Sequence, residues 1–541
     1  MLLHRQQSLF HRLIETINPK SSNSNDSLIQ AIQFIQDNQK ISREYFNQII
    51  DLSFTIDFWR SRIFTKVDGI QQMNRKELIT CVLDALSKGL NSGDIHVEGA
   101  RNYGDYRSDF LPWDKCLEYL DDYCKEVGID STAQAMVCNL QKLFIEKAKE
   151  IDDKYQSNTA FTIDANGRPS LTKYEAKPLS DSAKKLENIL KSRMPERSVL
   201  DCLSNAEYHV GWTNECTSPE GNELKLDNPK EKIILSAFAV GTGLGATQTA
   251  KHVRGDVSAR ILSRVNQKYF SVKTLNKAIT RVINCLNQFP LLQAWGTGES
   301  CAVDGTLEEI HDNNMLAEQH IRYGKKGGIA YHHVADNYIA LFSTFIQCGV
   351  WEAIHIIDGL LENASEVQPK TVHADTQGQS LPVFAFSYLF GIKLMPRIRS
   401  WKELKMYHPT KGVRYKNIDP LFCEANIDWD LITLHWKDLM QVVLSIKYGK
   451  ISSSFILAKL NSYNYRNKLY KAFQELGKAL RTMYLLDYIS DMDLRQTVTD
   501  CTNKAESYNQ FSDWIRFGSK KLVATNKPEE MEKSIPNLVN F

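Results

Sequence analysis

Apolar residues recur at helical spacing in the first ninety residues of the chain. Two sets share this spacing: Leu28, Ile29, Ile32 and Ile35, then Ile79, Val82, Leu83 and Leu86. The period predicts amphipathic helices. The polar segment 19–26 predicts a loop, with Asp26 or Ser27 capping the helix that follows.

From about residue 295 the pattern changes to short strand-like runs that alternate with helical ones. Residues 343–346 and 370–374 predict strands, whereas residues 350–362 and 383–390 predict helices. Alternation of this kind is typical of α/β architecture.

Other stretches predict either helix or irregular connections. Residues 420–495 return to a helical pattern, most clearly in the amphipathic run 468–486. The polar stretches 157–181 and 217–232 contain glycine and proline, which predicts linkers or surface insertions.

Composition restricts the class of protein. Of the 541 residues, 43% are apolar and 24% are charged, as in an ordinary globular chain with a sizeable core. The 66 basic and 64 acidic residues give a net charge of +2, which indicates no partner by itself. Apolar stretches such as Ile233–Val240 are far shorter than the ~20 residues that span a bilayer, so no membrane partner is expected. The 11 cysteines are scattered without a Cys-x-x-Cys pair, which favours reduced thiols in a cytosol.

Local charge is more informative than net charge. Between Val257 and Gly298 there is no acidic residue, but six basic residues form two trios at four-residue spacing: Arg260, Arg264 and Lys268, then Lys273, Lys277 and Arg281. On a helix this spacing aligns each trio along one face. Two interpretations stay open, a solvated face that pairs with acids elsewhere in the fold and a surface that binds a polyanion.

A second basic tract combines cations with aromatic rings. Eight basic residues face the single acid Glu403: Lys393, Arg397, Arg399, Lys402, Lys405, Lys411, Arg414 and Lys416. Three aromatic residues are interleaved with them: Trp401, Tyr407 and Tyr415. Arginine forks bind phosphate and aromatic rings stack on bases, so this composition favours nucleic acid over a solvated basic surface. The alternation of residues 397–399 predicts a strand with one wet face.

The glycine-rich segment Gly241–Ala246 follows the strand-like run Ile233–Val240 and matches the pattern G-x-G-x-x-G/A of dinucleotide-binding folds. That fingerprint needs a carboxylate about 20 residues further on to hold a ribose hydroxyl. Residues 257–298 contain none, so a dinucleotide-dependent oxidoreductase is disfavoured. The segment instead predicts a turn where backbones approach closely, or N–H groups that meet a phosphate at a helix start.

Two aspartates stand where strand-like runs meet loops. Asp304 follows Cys301–Val303 and precedes a glycine, and Asp375 follows Val372–Ala374. Carboxylates at strand ends can meet at one edge of a sheet and hold hard divalent cations. Taken singly, each is also explained by an Asp-Gly turn or a helix cap.

The segment His373–Ser380 and its continuation to Arg399 resemble the core signature of transposases of the Tn-three family, the enzymes of replicative class II bacterial transposons. Further segments match motifs of that family in the same order: Gly93–Tyr103, Gly241–Ala246, Trp295–Gly298, Tyr331–Tyr338, Ile357–Leu361, Ile456–Leu460 and Asn503–Glu506. The similarity extends over roughly residues 50–530.

This resemblance implies an α/β fold: a ribonuclease-H-like catalytic domain with a helical insertion, preceded by a mostly α-helical scaffold region. It identifies Asp304, Asp375 and Glu506 as a DDE catalytic triad and as the ligands of two divalent metal ions, Mg²⁺ or Mn²⁺. Such a pair of ions, about 4 Å apart, activates a water or a 3′-hydroxyl and stabilises the leaving oxygen. The implied reactions are 3′-end cleavage of transposon DNA and strand transfer into target DNA.

Glu506 is assigned by the resemblance and not by its spacing. The helical pattern predicts a buried face of Cys501, Ala505, Tyr508, Phe511 and Ile515. It leaves Glu506 on a polar stripe beside Asn503 and Asn509, where spacing alone indicates a surface glutamate.

Competing ligands and DNA contacts complete the expected site. Asp312, Asp336 and Asp358 are alternative metal ligands, although capping or a structural hydrogen bond better explains Asp358. Zinc would suit the histidines His332, His333 and His373, but no second ligand set at suitable spacing supports it. Two groups of basic residues are expected to hold DNA phosphates. The group near the site is Lys393, Arg397, Arg399 and Lys402, and the group that extends the track is Arg260, Arg264 and Lys268.

The sequence also departs from the family pattern. Val303 precedes Asp304, where family members usually have serine or alanine. Full-length relatives carry a long N-terminal region that recognises transposon-end repeats, and the early position of Asp304 predicts that much of it is absent here. The chain ends at Phe541, where relatives continue into further helices. The resemblance therefore implies a truncated or separately encoded catalytic portion.

The predicted organisation has five regions. They are a helical scaffold and dimerisation region (1–170), a helical linker with basic DNA-facing helices (171–290), the ribonuclease-H-like core (291–416), a helical insertion (417–495), and the final catalytic helix with a truncated C-terminus (496–541). The implied partners are double-stranded DNA, as transposon terminal inverted repeats and target DNA, and a second copy of the chain in a homodimer. The implied location is the bacterial cytoplasm, at the nucleoid.

Two other functions stay open. The chain could be a non-catalytic or regulatory DNA-binding fragment of a transposase, since it lacks the expected end-recognition region. A structure-selective nuclease built on the same fold is the other alternative.

Overall fold

A computed structural model describes the fold of most of the chain. The described residues are 12–22, 26–38, 44–67, 70–100, 103–105, 107–108, 110–174, 178–218, 221, 226–253, 257–310, 318–319, 326–347, 355–399, 401, 404–453, 456, 467–518, 522–523, 533 and 540. Lys402, Asp312, residues 350–354 of a predicted helix and the Leu457–Leu460 part of a family motif lie outside them.

The helices are numbered in chain order. They are α1 (Ser27–Asp37), α2 (Asp57–Ile63), α3 (Arg75–Ser92), α4 (Trp113–Val127), α5 (Ala133–Lys154), α6 (Asp181–Arg193), α7 (Val199–Val210), α8 (Pro229–Gly241), α9 (Gly245–His252), α10 (Ala259–Tyr269), α11 (Val272–Leu286), α12 (His355–Leu361), α13 (Leu381–Leu389), α14 (Trp429–Leu434), α15 (Trp436–Lys447), α16 (Lys468–Ser490) and α17 (Met492–Ile515).

The strands are mostly short. They are β1 (Pro19–Ser21), β2 (Tyr45–Phe46), β3 (Phe64–Val67), β4 (Ile70–Asn74), β5 (Ile95–Val97), β6 (Phe161–Ile163), β7 (Pro169–Leu171), β8 (Ser300–Ile310), β9 (Glu318–Gln319), β10 (Lys326–Ala335), β11 (Ala340–Gln347), β12 (Thr371–Ala374), β13 (Lys393–Pro396), β14 (Met406–His408), β15 (Phe422–Asn426) and β16 (Leu522–Val523).

The periodicity near the start of the chain is confirmed by α1 and α3. Leu28, Ile32 and Ile35 are buried along one face of α1. The predicted loop at 19–26 is partly wrong, because β1 pairs antiparallel with β5. Asp26 does precede α1 as its N-cap residue, but its side chain makes no capping hydrogen bond.

The largest sheet positions the site. Its main strands lie in the spatial order β11-β10-β8-β12-β13, with β9 and β16 added at β10 and β8. β8, β10 and β11 are antiparallel, whereas β12 runs parallel to β8 and β13 runs parallel to β12. Counted along the chain, these five main strands have the order 3-2-1-4-5. Parallel neighbours need a crossover, and α13 supplies it between β12 and β13.

The α/β alternation predicted after residue 295 is confirmed. The strands expected at 343–346 and 370–374 are β11 and β12, and the helix expected at 383–390 is α13. Helix α13 packs against α16, where the rings of Phe386 and Phe473 stack with centroids 4.2 Å apart. Gly477 makes this close approach possible, because a Cβ there would lie 2.0 Å from the carbonyl oxygen of Leu381.

The strand-like interpretation of Ile233–Val240 is wrong, since this run lies inside α8. Proline at the start of α8 suits a first helical turn, where its missing N–H has no partner to lose. The helix is buried on more than one side, at Ile233, Leu235 and Ala239 among others. A short apolar run of this kind has no polar stripe, so its pattern does not separate a buried helix from a buried strand.

Three large buried clusters form the main cores of the described structure. One spans residues 14–95, a second joins α7, α8, α10 and α11, and the largest surrounds the sheet together with α13, α15 and α16. Ile515 of α17 is buried in the second cluster, so α17 connects the basic helices to the sheet. Within the described ranges, no helix combines the length and apolarity that a bilayer crossing requires. Each cysteine in those ranges is a free thiol.

Candidate active site

Asp304 lies on β8, the central strand of the five. In the antiparallel register its partner on β10 is His332. Its Oδ2 accepts a hydrogen bond of 2.8 Å from Nδ2 of Asn509 on α17. Because Asn509 is buried, this hydrogen bond fixes the orientation of the Asp304 carboxylate.

Asp375 directly follows β12, the parallel neighbour of β8. The register pairs His373 with Ala302, so the residues two positions further along each strand, Asp375 and Asp304, lie at the same level of the sheet. Oδ1 of Asp375 accepts a hydrogen bond of 2.9 Å from the backbone N–H of Gln377, which caps a short 3₁₀ turn. The sheet therefore brings the two aspartates together, although Asp304 lies within β8 and not at a strand end as the sequence predicted.

Glu506 is contributed by α17, which lies across the sheet. Cys501 and Ala505 are buried against Ala302 of β8, so the helix packs on the strand that carries Asp304. Glu506, the next residue along the helix, is exposed.

A small cavity contains all three acids. We call it the acidic cavity; its volume is about 130 Å³, and its walls are Val303, Asp304, Asp375, Thr376, Arg397, Arg399, Thr502 and Glu506. In the described part of the chain, no three His, Cys, Asp or Glu side chains form a ready-made ligand set for one metal ion. The three carboxylates thus share a cavity without closing around one point. Their oxygens are nevertheless the donors that hard divalent cations prefer.

Contacts on both sides of Glu506 hold α17 in place. Nζ of Lys504 donates to the backbone carbonyls of Trp295 and Asp336, at 2.8 and 2.5 Å. At the end of the helix, Arg516 forms a buried ion pair with Glu308 of β8. Removing one partner from such a buried pair typically costs about 3–5 kcal/mol. These contacts fix the position of the helix relative to the strand that carries Asp304.

The predicted faces of α17 are correct in part. Cys501, Ala505, Tyr508 and Ile515 are buried as expected. Phe511 is 49% exposed instead of buried, and Asn509 is buried instead of solvated. Sequence reasoning missed the role of Asn509 because its burial depends on a partner about 200 residues away in the chain. The available signal was its position one turn after Glu506, on the side that faces β8.

Arg397 and Arg399 extend from a loop beside Asp375. The strand predicted over 397–399 is wrong, because β13 ends at Pro396. The backbone N–H of Arg397 donates to the carbonyl of Ala374 at 2.8 Å, which keeps this loop next to the end of β12. Within the described residues, neither arginine side chain takes part in an ion pair or hydrogen bond.

The first predicted basic surface lies on α10 and α11. Arg260 and Arg264 are exposed along one face of α10, and Lys268 is half-buried, so the predicted alignment is confirmed. On α11, Arg281 pairs with Glu215 at 2.9 Å and also donates to a backbone carbonyl. For Arg281 the interpretation as a residue paired with an acid elsewhere is therefore correct.

The aromatic residues of the second basic tract are used inside the protein. The ring of Tyr415 stacks on Phe422 with centroids 5.1 Å apart. Tyr407 lies under the ammonium group of Lys478, and Trp401 packs against the core around the sheet. The expectation that these rings are placed to stack on bases is not supported. Of the basic residues predicted near the site, Arg397 and Arg399 line the acidic cavity, Lys393 is exposed on β13, and Lys402 is not described.

The competing aspartates have structural partners. Oδ1 of Asp336 accepts from the backbone N–H of Gly298 at 2.7 Å. Oδ1 of Asp358 accepts from the backbone N–H and the hydroxyl of Ser453, at 2.8 and 2.6 Å. The structural hydrogen bond predicted for Asp358 is confirmed, and neither residue lines the acidic cavity.

The three histidines are buried within the sheet region. Nδ1 of His332 lies 2.6 Å from Oγ of Ser343, and Nε2 of His333 lies 3.0 Å from a backbone carbonyl oxygen, to which it donates. Burial lowers the pKa of His333 and that of His373 to about 4 each, so both rings are neutral at neutral pH. Burial also raises the pKa of Tyr508, whose ring packs edge-on against His332.

The glycine-rich segment Gly241–Ala246 is a tight connection between α8 and α9. Gly243 has a φ of 71°, in the left-handed region that favours glycine. A Cβ on Gly518 would lie 2.5 Å from the backbone nitrogen of Leu244, so the chain after α17 passes directly over this turn. The prediction of a turn where backbones approach closely is confirmed.

The fold and the site define a mixed α/β protein in which a sheet and a packed helix gather three carboxylates and two arginines. The family model "Tn3 transposase DDE domain" matches residues 201–539, a range that contains all three acids. The chain therefore belongs to the Tn3-family transposases.

Relatives of this chain include three named transposases. It is 25% identical over 517 residues to the transposase for transposon Tn1546 of Enterococcus faecium, a match that covers 94% of this chain and 50% of that protein. The transposase for Tn501 of Pseudomonas aeruginosa is 25% identical over 93% and 50% of the two chains, and that for Tn2501 of Escherichia coli is 24% identical over 89% and 48%. The chain spans about half the length of these relatives.

Proposed function

We propose that the chain is the catalytic part of a DNA transposase. It would cleave transposon DNA at its 3′ ends by hydrolysis and join those ends to target DNA by transesterification. The main support is the acidic cavity, where Asp304, Asp375 and Glu506 meet Arg397 and Arg399. The strand order 3-2-1-4-5 supports the ribonuclease-H-like fold implied by the sequence.

The residues of the acidic cavity have separate tasks in this reaction. Asp304, Asp375 and Glu506 would hold two divalent ions, Mg²⁺ or Mn²⁺, because carboxylate oxygens are the ligands these ions prefer. Bound there, the ions supply activation of a water or 3′-hydroxyl and stabilisation of the leaving oxygen.

The neighbouring side chains orient the Asp304 carboxylate and offset the negative charge of the DNA phosphate. The N–H of Asn509 donates to Oδ2 of Asp304, which favours the ionised carboxylate and keeps that oxygen free of a proton. Arg397 and Arg399 bind the phosphate oxygens of DNA and offset their charge, since a guanidinium fork matches phosphate geometry.

The DNA partners follow from the same proposal. They are the terminal inverted repeats of the transposon and the target DNA, with Lys393 near the site and Arg260, Arg264 and Lys268 along an extended phosphate track. Two transposon ends must be processed together, so we propose that two copies of the chain act as a homodimer. The place of action would be the bacterial nucleoid.

A joining assay tests this function. Purified chain is supplied with pre-nicked transposon ends, target plasmid and Mg²⁺ or Mn²⁺, and joined products are separated on a gel. Asp304→Asn is expected to abolish joining while DNA affinity stays within about twofold, because only the metal ligand is lost. The control is Asp493→Asn, which removes an exposed carboxylate on α17, the helix of Glu506, outside the cavity.

Each other outcome points to a different function. Equal joining by Asp304→Asn would contradict the assignment of the site. DNA binding by the unmutated chain without any joining would favour a regulatory fragment. Cleavage of DNA that lacks transposon ends would favour a structure-selective nuclease.

A further inference from the structure

A second, larger cavity adjoins the acidic cavity. Its volume is about 760 Å³, and it lies between the chain after β7, the loop after β13 and the first half of α17. We call it the strand groove; the residues used below are Lys173, Tyr174, Arg397, Arg399, Gln496 and Asn503. Of these residues, Lys173, Tyr174, Gln496 and Asn503 have no task in the reaction proposed for the three acids.

The strand groove and the acidic cavity are continuous. Arg397 and Arg399 line both of them, so a molecule bound to these arginines in the acidic cavity can extend into the strand groove. Helix α17 also runs along both spaces. Asn503 lies seven positions after Gln496, and Glu506 lies three positions after Asn503, so the three side chains share one helical face. The ten-residue separation between Gln496 and Glu506 corresponds to about 15 Å of helix.

The walls of the strand groove suit a polyanion that carries flat rings. Lys173 is exposed beside the two arginines, which have no acidic partner among the described residues. The floor is apolar, with Ile398 and Tyr488 buried beneath it. At the rim, Tyr174 is 42% exposed and offers a ring face for stacking. Asp500 is the acid that lines this space.

We propose that the strand groove holds one unpaired DNA strand of about three or four nucleotides that continues from the phosphate in the acidic cavity. The length follows from about 15 Å of helix between Gln496 in the groove and Glu506 in the acidic cavity, and from a rise of about 3.4 Å per nucleotide. Its phosphates contact Lys173, Arg397 and Arg399, and a base stacks on Tyr174, which requires that the base be unpaired. The volume also suits a few nucleotides, since cavities of about 300–1,000 Å³ hold small molecules. This inference rests on the proposed function for the identity of its ligand.

Fluorescence anisotropy tests the strand groove without any chemistry. All proteins carry Asp304→Asn, and the probes are a blunt fluorescein-labelled duplex and the same duplex with a four-nucleotide single-stranded tail. The chain is expected to bind the tailed probe more tightly. Tyr174→Ala should lower the affinity for the tailed probe about 5- to 100-fold, because it deletes the ring on which a base stacks. Lys173→Ala should reduce the slope of log affinity against log salt by about 0.7 on the tailed probe.

Matched surface variants control this experiment. Tyr208→Ala and Lys184→Ala remove an exposed tyrosine and an exposed lysine on α7 and α6, away from the strand groove. Equal affinity for blunt and tailed probes, or equal losses in the groove and control variants, would overturn the inference. If the unmutated chain joins no DNA but the tail still binds through Tyr174 and Lys173, the proposed function fails and the strand groove stands.

Discussion

The basic helices α10 and α11 and the loop after β13 carry the same kind of charge in different surroundings. On the helices, Arg260 and Arg264 are exposed and Arg281 is paired with Glu215. In the loop, Arg397 and Arg399 lie beside three carboxylates in one cavity. In the sequence both regions showed clustered cations, and the interleaved aromatic residues favoured DNA binding only for the second.

The two regions differ in their backbone contacts to the acidic site more than in their charge. The N–H of Arg397 is bonded to the carbonyl of Ala374, one residue before Asp375, so the loop follows the end of β12. No comparable bond connects α10 to the acids in the described structure, and its cations occupy a helical face alone. We therefore expect the loop arginines to act on the reacting phosphate and the helix arginines on DNA affinity.

The largest expected difference is in the joining rate. Arg397→Ala should lower the rate at saturating DNA by about 100-fold or more, because it removes a donor where charge develops during the reaction. Arg260→Ala should change the same rate less than about twofold. Single-turnover joining with pre-nicked ends measures both. Similar rate losses in the two variants would break the distinction between the two regions.

The next effect concerns Asn509. Asn509→Asp would place a second carboxylate 2.8 Å from Asp304, and two such groups share a proton, so the pKa of the pair rises. Joining at pH 7 should fall about tenfold and recover at higher pH, with the acid limb of the pH–rate profile moved upward.

A matched surface pair controls the Asn509 experiment. Asn139→Asp creates the same kind of pair with Asp130 at an exposed position, where Nδ2 now lies 2.8 Å from a carboxylate oxygen. Its pH–rate profile should coincide with that of the unmutated chain. A shift of the same size in both variants would argue against a positioning role for Asn509.

A smaller effect is expected in the free energy of unfolding, and it arises from His333 of strand β10 and not from the basic helices. The pKa of His333 is about 4 when folded, since burial disfavours the charged ring, compared with about 6.5 when unfolded. Between these values the unfolded chain takes up a proton that the folded chain does not, so stability is lost as pH falls from 6.5 to 4.

His333→Gln should reduce the decrease of the unfolding free energy over this pH range by about 1 kcal/mol per pH unit. Urea unfolding at pH 7 and at pH 4.5 measures the change; His355 and Asp358 are the ionisable neighbours of His333. An unchanged pH slope would show that His333 is not the group responsible. DNA binding by the helices should be unaffected.

The smallest effect is expected at the basic helices. Removing Arg260 and Arg264 together should weaken DNA binding a few-fold and reduce the slope of log affinity against log salt by about 0.9 for each lost phosphate contact. Titrations of duplex DNA at several salt concentrations provide the slope. An unchanged slope would mean that this face is solvated and binds no DNA.

Residues alone indicated Asp304 and Asp375 as candidate cation ligands, with an Asp-Gly turn or a helix cap as the alternative for each. The pairing of β12 with β8 brings them together, but Asp304 lies inside its strand, so the predicted strand end is wrong for that residue. Glu506 was accessible only through the family resemblance, because helical spacing marks it as a surface residue. Asn509 was not predicted, since only the packing of α17 on β8 reveals its contact.

The same limits explain the errors in the fold. The buried helix α8 was interpreted as a strand because its apolar run is short and lacks a polar stripe. The segment 397–399 alternates like a strand, but no partner strand continues beyond β13. Local pattern predicts an element best when one face is solvated, as in α1, and least well when tertiary packing decides.

Binding of Mn²⁺ tests the central claim most directly, which is that Asp304, Asp375 and Glu506 together hold divalent ions against a DNA phosphate. Calorimetry with pre-nicked DNA should give two ions per chain for the unmutated protein and fewer for Asp375→Asn, with Asp493→Asn unchanged. The same stoichiometry and affinity after replacing all three acids, with the fold intact by circular dichroism, would contradict the account.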